Sequence, residues 1–430
     1  MHRFTTSDGK QLWYNVNDNR ISLWSKEKNI GTCPVVHFSS PTNIKTDNIT
    51  MFTIEMTQQC NLRCTYCCYS GNYRDRRAHN ERNITIETLS QAVKFIINNY
   101  DKSAPEITIC FYGGEALLAR NEIEWLINEL ENVLAGKFVY SLSTNGLALT
   151  EKVIDWICSF PKFLVNITID GNKIMHDRNR KTVNGRGSYD TIIKNLTLFK
   201  KKYPIKYDNN VRFLATVYSW NDVLELDRVW DSEPVLAGHY PVHISHIIPN
   251  FEDTSRNYDT WEIKNNFYLN AFKAYKEGKI GILSDCFKRL INIVRHRNYQ
   301  PLMDNLKIKT CYQELYSCFI NVCGDIYACE KFCGENAIGN VTKGINDEVA
   351  CSHLERFTSR KNRNCKSCWA QRLCRMCLTS LNFKDEEISY MCNMERDTID
   401  LALRYFCELK DWEHAKIKDN KNENNDFKHF

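Results

Sequence analysis

Between residues 51 and 250 the sequence alternates short apolar runs with amphipathic stretches, and that alternation leaves few architectures open. Strands are expected at Met51 to Thr57, Glu106 to Gly113, Phe138 to Ser143, Leu164 to Asp170, Asn210 to Tyr218 and Val242 to Pro249. Apolar residues recur at helical spacing in ITIETLSQAVKFIINNY, NEIEWLINELENVLA, EKVIDWICSF, SYDTIIKNLTLFKKKY and NDVLELDRVW. Near-continuous apolar strands joined by such helices pack as a parallel sheet covered by the helices. Six strands fall short of a closed eight-stranded barrel. An α/β fold with a partial (β/α)6 barrel is expected, its active face at the C-terminal ends of the strands.

Five segments are expected. Residues 1–50 read as a hairpin and connector around an Asp8-Gly9 turn, 51–255 as the barrel and 256–305 as a helical bridge. Residues 306–393 form a cysteine-dense region with short strands, and 394–430 a helix followed by a polar, charged tail expected to be disordered. No internal repeat is present.

The chain has 20 cysteines in 430 residues, yet a chain of this length buries a core without disulfide staples. The N-terminus lacks a signal-peptide run, and no stretch approaches the roughly 20 apolar residues that span a bilayer. A cytoplasmic, reducing location follows, where clustered cysteines serve as metal ligands or redox groups. The formal net charge of +5 is too mild to argue for nucleic acid.

Cys60, Cys64 and Cys67 lie in CNLRCTYCCY, directly after the first expected strand. This CxxxCxxC spacing places three thiolates on one loop, enough to hold three irons of a 4Fe-4S cube and leave the fourth iron without a protein ligand. A zinc site needs a fourth protein ligand in a closed set, for which adjacent Cys68 is the poorly oriented candidate.

The spacing, following the first strand of a strand-helix series, resembles the radical S-adenosylmethionine (SAM) superfamily. FYGGE at 111–115 is similar to that family's glycine-rich segment, and LSTNG at 142–146, ITIDG at 167–171 and HDRNR at 176–180 resemble its later strand ends. The resemblance implies that Gly113, Gly114 and Glu115 receive the amino group of SAM. It implies that Ser141, Ser143, Asn145 and Asp170 contact its carboxylate and ribose, that Arg180 meets the carboxylate, and that Tyr66 packs beside adenine. The expected chemistry is cleavage of SAM to a 5′-deoxyadenosyl radical that takes hydrogen from unactivated carbon.

Eleven further cysteines fall between 311 and 392. The run CKSCWAQRLCRMC, with Cys392 beyond it, and the pattern Cys311, twelve residues, Gly324, four residues, Cys329 resemble the SPASM extension of peptide- and protein-modifying radical enzymes. That likeness implies two auxiliary 4Fe-4S clusters, three in all. Cys311, Cys329 and Cys377, with Cys318 as fourth ligand, would hold the inner one; Cys365, Cys368, Cys374 and Cys392 would hold the outer one. Two residues stand between Cys374 and Cys377 where the family usually has three, which unsettles the Cys377 geometry. A zinc ribbon is the alternative for Cys365 and Cys368. Cys33, Cys110, Cys158, Cys286 and Cys407 read as core, while Cys323, Cys333 and Cys351 have no assigned role. His176, His239, His243 and His246 read as structural or surface residues.

Within this architecture CCYSG, CEKF, IGNV and CxxCWAxxLC look closest to maturases that form cysteine thioether cross-links in ribosomal peptides. Anaerobic sulfatase-maturating enzymes are the alternative; they carry an aspartate base where this chain has Glu330. The partners implied are a cysteine-containing precursor peptide, or a sulfatase, and a flavodoxin- or ferredoxin-type electron donor. Neither nucleic acid nor membrane is expected. A non-catalytic iron-sulfur electron carrier is a third reading, opposed by GGE and the open cysteine triad.

Overall fold

The computed structural model describes residues 1–23, 33–40, 44–71, 77–247, 259–303, 305–308 and 315–409. Cys311 and the expected tail beyond 409 lie outside them. The N-terminal segment is a three-stranded antiparallel meander of β1 (His2–Thr5), β2 (Gln11–Asn15) and β3 (Arg20–Leu23), followed by the short β4 (His37–Ser39). Gly9 makes the β1–β2 turn at φ +82°, where a side chain would be strained.

All six expected barrel strands form: β5 (Met51–Thr57), β6 (Ile107–Gly113), β7 (Phe138–Thr144), β8 (Phe163–Thr168), β9 (Val211–Val217) and β10 (His243–His246). Each pairs in parallel with the next, in sequential order. The covering helices are α1 (Ile86–Asn99), α2 (Arg120–Val133), α3 (Glu151–Ser159), α4 (Lys173–Asn179), α5 (Tyr189–Lys202), α6 (Pro204–Asn210) and α7 (Trp220–Trp230). Thr85 caps α1 by accepting from Thr88 N, and Ser219 with Asp222 forms a capping box on α7, so several helix starts are written into the sequence.

Side chains alternate along these strands. Ile107, Ile109 and Phe111 of β6, Phe163, Val165 and Ile167 of β8, and Val211, Phe213, Ala215 and Val217 of β9 are buried under the helices. Each large one contributes about 1.5–3 kcal/mol by leaving water. The residues between them, among them Cys110, Tyr112, Asn166, Thr168, Arg212 and Thr216, are half-buried and line the open interior. One face of the sheet is therefore core and the other a polar working surface.

The bridge is two helices, α8 (Trp261–Lys276) and α9 (Ile282–Arg295), and β11 (Asn305–Lys307) then pairs with β4. In the cysteine-dense region β12 (Ser317–Ile320) adds in parallel to the free edge of β5, and β13 (Asp325–Tyr327), β14 (Gly339–Asn340) and β15 (Gly344–Ile345) extend it, giving one ten-stranded sheet. The region also holds α10 (Asp347–Asn364), where only short strands are expected from the sequence, and α11 (Asp385–Glu408), which starts earlier than the expected 394 and carries Cys392. Arg372 fastens the parts together by donating to the carbonyls of Asn17, Asn298 and Gln300 at 2.8–3.1 Å. No helix among the described residues is long and apolar enough to cross a membrane.

Candidate active site and auxiliary cysteine cavity

The loop that leaves β5 carries Cys60, Cys64 and Cys67, and it is held at both ends. On the β6 side, Gly114 N and Glu115 N donate to the carbonyls of Thr57 and Gln59, both at 2.8 Å. This approach requires glycine: a Cβ on Gly113 would lie 2.2 Å from Thr57 O, and one on Gly114 2.1 Å from Gln59 O. On the other side, Arg63 N and Thr65 N donate to the carbonyls of Lys181 and Asn179, and Thr65 Oγ1 lies 2.8 Å from the Tyr218 hydroxyl. All three thiols are free of disulfides. Burial pushes Cys60 up to about 11 and Cys67 up to about 12, and the charges of the neighbouring thiols act in the same direction. Such thiols are neutral unless a metal or cation takes the thiolate.

Tyr66, in the middle of the loop, donates to Asp170 Oδ2 at the end of β8 and accepts from Arg180 Nη1 at 2.8 Å. Asp170 Oδ1 accepts from Thr216 N at 2.9 Å. Arg180 is 6% exposed, lies close enough to raise the negative character of Cys60 and Cys64, and keeps a buried Nε with no partner. An unpartnered guanidinium N–H near Cys60 and Cys64 fits an anionic ligand carboxylate next to a thiolate-held cluster.

Several of the expected contacts are also engaged within the protein. Glu115 is 1% exposed, and its oxygens accept from Leu117 N, Thr144 Oγ1 and Asn145 N. It braces β6 against β7. Asp170 is likewise spent on Tyr66 and Thr216, and acts by positioning Tyr66. Asn145 is buried, with its amide on Asn61 Oδ1 and its Oδ1 on Leu147 N. Ser141 accepts from Asn166 Nδ2 at 2.9 Å, deep in the barrel. Ser143 is half-buried on the interior face. The glycines, Ser143, Tyr66 and Arg180 are the expected contacts that stay open to a ligand.

Sequence reasoning missed the wall of the interior next to the cysteine loop. Tyr69 OH donates to Tyr112 OH at 3.3 Å. Arg77 stacks 4.0 Å from the Tyr69 ring centroid and 4.7 Å from that of Phe319, and pairs with buried Glu55. Cys110, expected in the core, points into this interior beside Thr53 and Ser141, and burial, with the Glu330 charge acting the same way, pushes it up to about 11. Glu330 lies close enough to Cys110 and Tyr112 for its charge to act on both. Strand alternation from Phe111 alone would have placed Cys110 inside.

In the C-terminal region, Cys365, Cys368, Cys374 and Cys392 line one cavity of about 50 Å³, together with Lys361, Gln371, Glu395 and Arg396. The four expected outer ligands are thus brought together. Among the described residues no three His, Cys, Asp or Glu side chains are placed to hold a single metal ion.

The expected inner set fares differently. Cys318 pairs with Phe52 in the β5–β12 register and so shares its helix-covered face, 1% exposed, with its thiol raised by burial alone. It is a core residue. Cys377 is exposed, its Sγ 2.9 Å from Thr379 Oγ1, and is not part of the cavity. Cys329 is half-buried after β13. Cys33, expected in the core, is half-buried and close enough to Cys368 for their charges to interact.

Residues 54–222 match the profile of the Radical SAM superfamily. With the cysteine loop at the mouth of the partial barrel, the chain is a radical SAM enzyme. It is related to the anaerobic sulfatase-maturating enzymes. It is 25% identical over 348 residues to the cysteine-type enzyme of Clostridium novyi, covering 76% of this chain and 87% of the relative. It is also 24% identical over 391 residues to the radical SAM cyclopropyl synthase TigE of Paramaledivibacter caminithermalis, covering 84% and 75%. Its fold matches that of native anSMEcpe solved with bound AdoMet, with a TM-score of 0.63, 21% identity, and 83% of this chain and 98% of that chain covered.

Proposed function

We propose that the chain abstracts hydrogen from a residue of a cysteine-containing precursor peptide and closes a thioether bond to the cysteine sulfur. Cys60, Cys64 and Cys67 would hold the SAM-binding cluster, and Arg180, Tyr66, Ser143 and the Gly113–Gly114 backbone would hold SAM. When bound, cluster and SAM together supply a hydrogen-abstracting carbon radical. The chain's own residues orient the two reactants and exclude water.

What supports the reading is Glu330 of the C-terminal region, whose charge acts on Cys110 and Tyr112 of the interior wall next to the cysteine loop. There it accepts the proton of the substrate thiol as sulfur bonds to carbon. The balance is complete: the substrate loses one hydrogen atom from C–H, one proton from S–H and one electron. Cys365, Cys368, Cys374 and Cys392 would hold an auxiliary cluster, which would supply an acceptor for that electron and pass it to a flavodoxin- or ferredoxin-type carrier.

The relatives named as sulfatase-maturating enzymes, and the anSMEcpe fold solved with bound Cp18Cys peptide, favour a second reading. In it the hydrogen comes from the cysteine itself, Glu330 takes the thiol proton, and water replaces sulfur as sulfide to leave formylglycine. The test is anaerobic incubation of reduced, reconstituted enzyme and SAM with the cysteine-containing peptides encoded near its gene. Loss of two hydrogens with a thiol that no longer alkylates is the expected result. An aldehyde trapped by a hydrazine reagent selects the second reading, and SAM that is never cleaved refutes both and favours an electron carrier.

A further inference from the structure

The cavity lined by Cys365, Cys368, Cys374 and Cys392 contains one polar side chain with nothing to bond. Gln371 lies between Cys368 and Cys374 in sequence and lines the cavity. It is 8% exposed, and neither its Nε2 nor its Oε1 has a hydrogen-bond partner. Buried amides are almost always satisfied, so an orphan on a cavity wall marks where a ligand's acceptor belongs.

The charges around the cavity point the same way. Arg360 is committed to the carbonyls of Ser380 and Phe383, and Glu395 to a bidentate pair with Arg375. Lys361 and Arg396, the latter bonded to Asn393 Oδ1, also line the cavity. A cavity lined by four cysteines, two cations and one idle amide donor suits an anionic core with sulfur acceptors.

We propose that Gln371 tunes the auxiliary cluster by donating its side-chain N–H to a cluster sulfide, which makes the cluster easier to reduce. This rests on the reading that the four cysteines hold a 4Fe-4S cluster. Reduction adds negative charge to the sulfurs, so a fixed donor stabilises the reduced form more than the oxidised one. Lys361 and Arg396 act in the same sense. The consequence is a cluster poised to accept the electron released when a substrate radical is oxidised.

The test uses the full chain in a Cys60→Ala, Cys64→Ala, Cys67→Ala background, which removes the SAM-binding cluster from the spectrum. Anaerobic redox titration followed by electron paramagnetic resonance compares Gln371 with Gln371→Leu and Gln371→Glu. In Gln371→Leu the iron content is expected to stay at the parent level while the reduced fraction at fixed potential falls about tenfold, a shift of about 59 mV for one electron. The coupling to an exchangeable deuteron is expected to disappear, and Gln371→Glu to shift further in the same direction. An unchanged potential and deuteron coupling in Gln371→Leu overturns the proposal, and so does a loss of iron there, which would mean a structural role. The underlying reading fails separately: Cys392→Ala would then leave iron content at the parent level.

Discussion

Gly114→Ala tests how the cysteine loop is held. The added methyl would lie 2.1 Å from Gln59 O and 2.6 Å from Gln59 C, so the backbone next to Cys60 has to retreat by roughly 1 Å. That movement breaks the 2.8 Å bond from Glu115 N to Gln59 O. A lost hydrogen bond at about 1 kcal/mol and overpacking at about 1–3 kcal/mol put the destabilisation near 2–4 kcal/mol. The functional loss is expected to be larger, since a 1 Å misplacement near the chemistry can cost about 10²-fold. The measurements are iron per chain after anaerobic reconstitution, SAM affinity by equilibrium dialysis, and thermal stability. Gly136→Ala is the control: its φ is +74° but nothing lies within 4 Å, so it tests backbone strain alone and is expected to leave iron and SAM binding intact. Full iron loading and unaltered SAM affinity in Gly114→Ala would refute the reasoning.

Three further outcomes follow from the same structure. Glu330→Gln is expected to keep reductive SAM cleavage but to lower product formation by about 10²–10⁴-fold, read by mass spectrometry of the peptide; equal product yield removes Glu330 as base. Cys318→Ala is expected to leave iron content unchanged and cost about 1–2 kcal/mol in urea unfolding, as for a small buried side chain; loss of iron would return it to the ligand set. Lys264, 3% exposed, is pushed down to about 8 by burial, while its Nζ donates to Met394 O and Thr398 Oγ1. Its folded value lies below its unfolded one, so above pH 8 the unfolded chain holds more protons and stability rises with pH, up to about 3 kcal/mol, until the unfolded lysine also titrates. Lys264→Met is expected to abolish that rise, and an identical pH slope in the variant would contradict it.

The barrel was legible because its strands obey one rule. Phe163, Val165 and Ile167 alternate with Leu164, Asn166 and Thr168, and the apolar set had to face helices whose own stripes, such as Leu89, Ala92, Val93 and Ile96 on α1, are plain in the sequence. The C-terminal region was harder. Helix α10 buries Ala350, His353, Leu354, Phe357 and Thr358 along a stretch otherwise rich in charge, so its apolar stripe is weak. The face of Cys318 depends on its register with Phe52, some 266 positions earlier in the chain, which local pattern does not encode. In the site, the cysteine spacing was readable, whereas the bracing bonds of Glu115 and Asp170 to neighbouring strands were not.

The addition of β12 to β5 joins the C-terminal region to the barrel sheet. Strand β5 carries the cysteine loop at one end and receives β12 in register along its free edge, and the β12–β13 hairpin leads on through Cys329 to Glu330. Glu55 secures this arrangement from within β5. It accepts from Val322 N in the β12–β13 turn at 3.1 Å and pairs with Arg77, whose guanidinium is stacked between Tyr69 of the cysteine-loop segment and Phe319 of β12. Burial raises the Glu55 carboxyl and the Arg77 charge opposes that rise, so each partner depends on the other. Removing either leaves a buried charge unpaired, at a cost of about 3–5 kcal/mol. The loop of Cys60, Cys64 and Cys67 and the hairpin that leads to Glu330 are therefore joined to the same strand, and a change that shifts the β5–β12 register displaces one relative to the other.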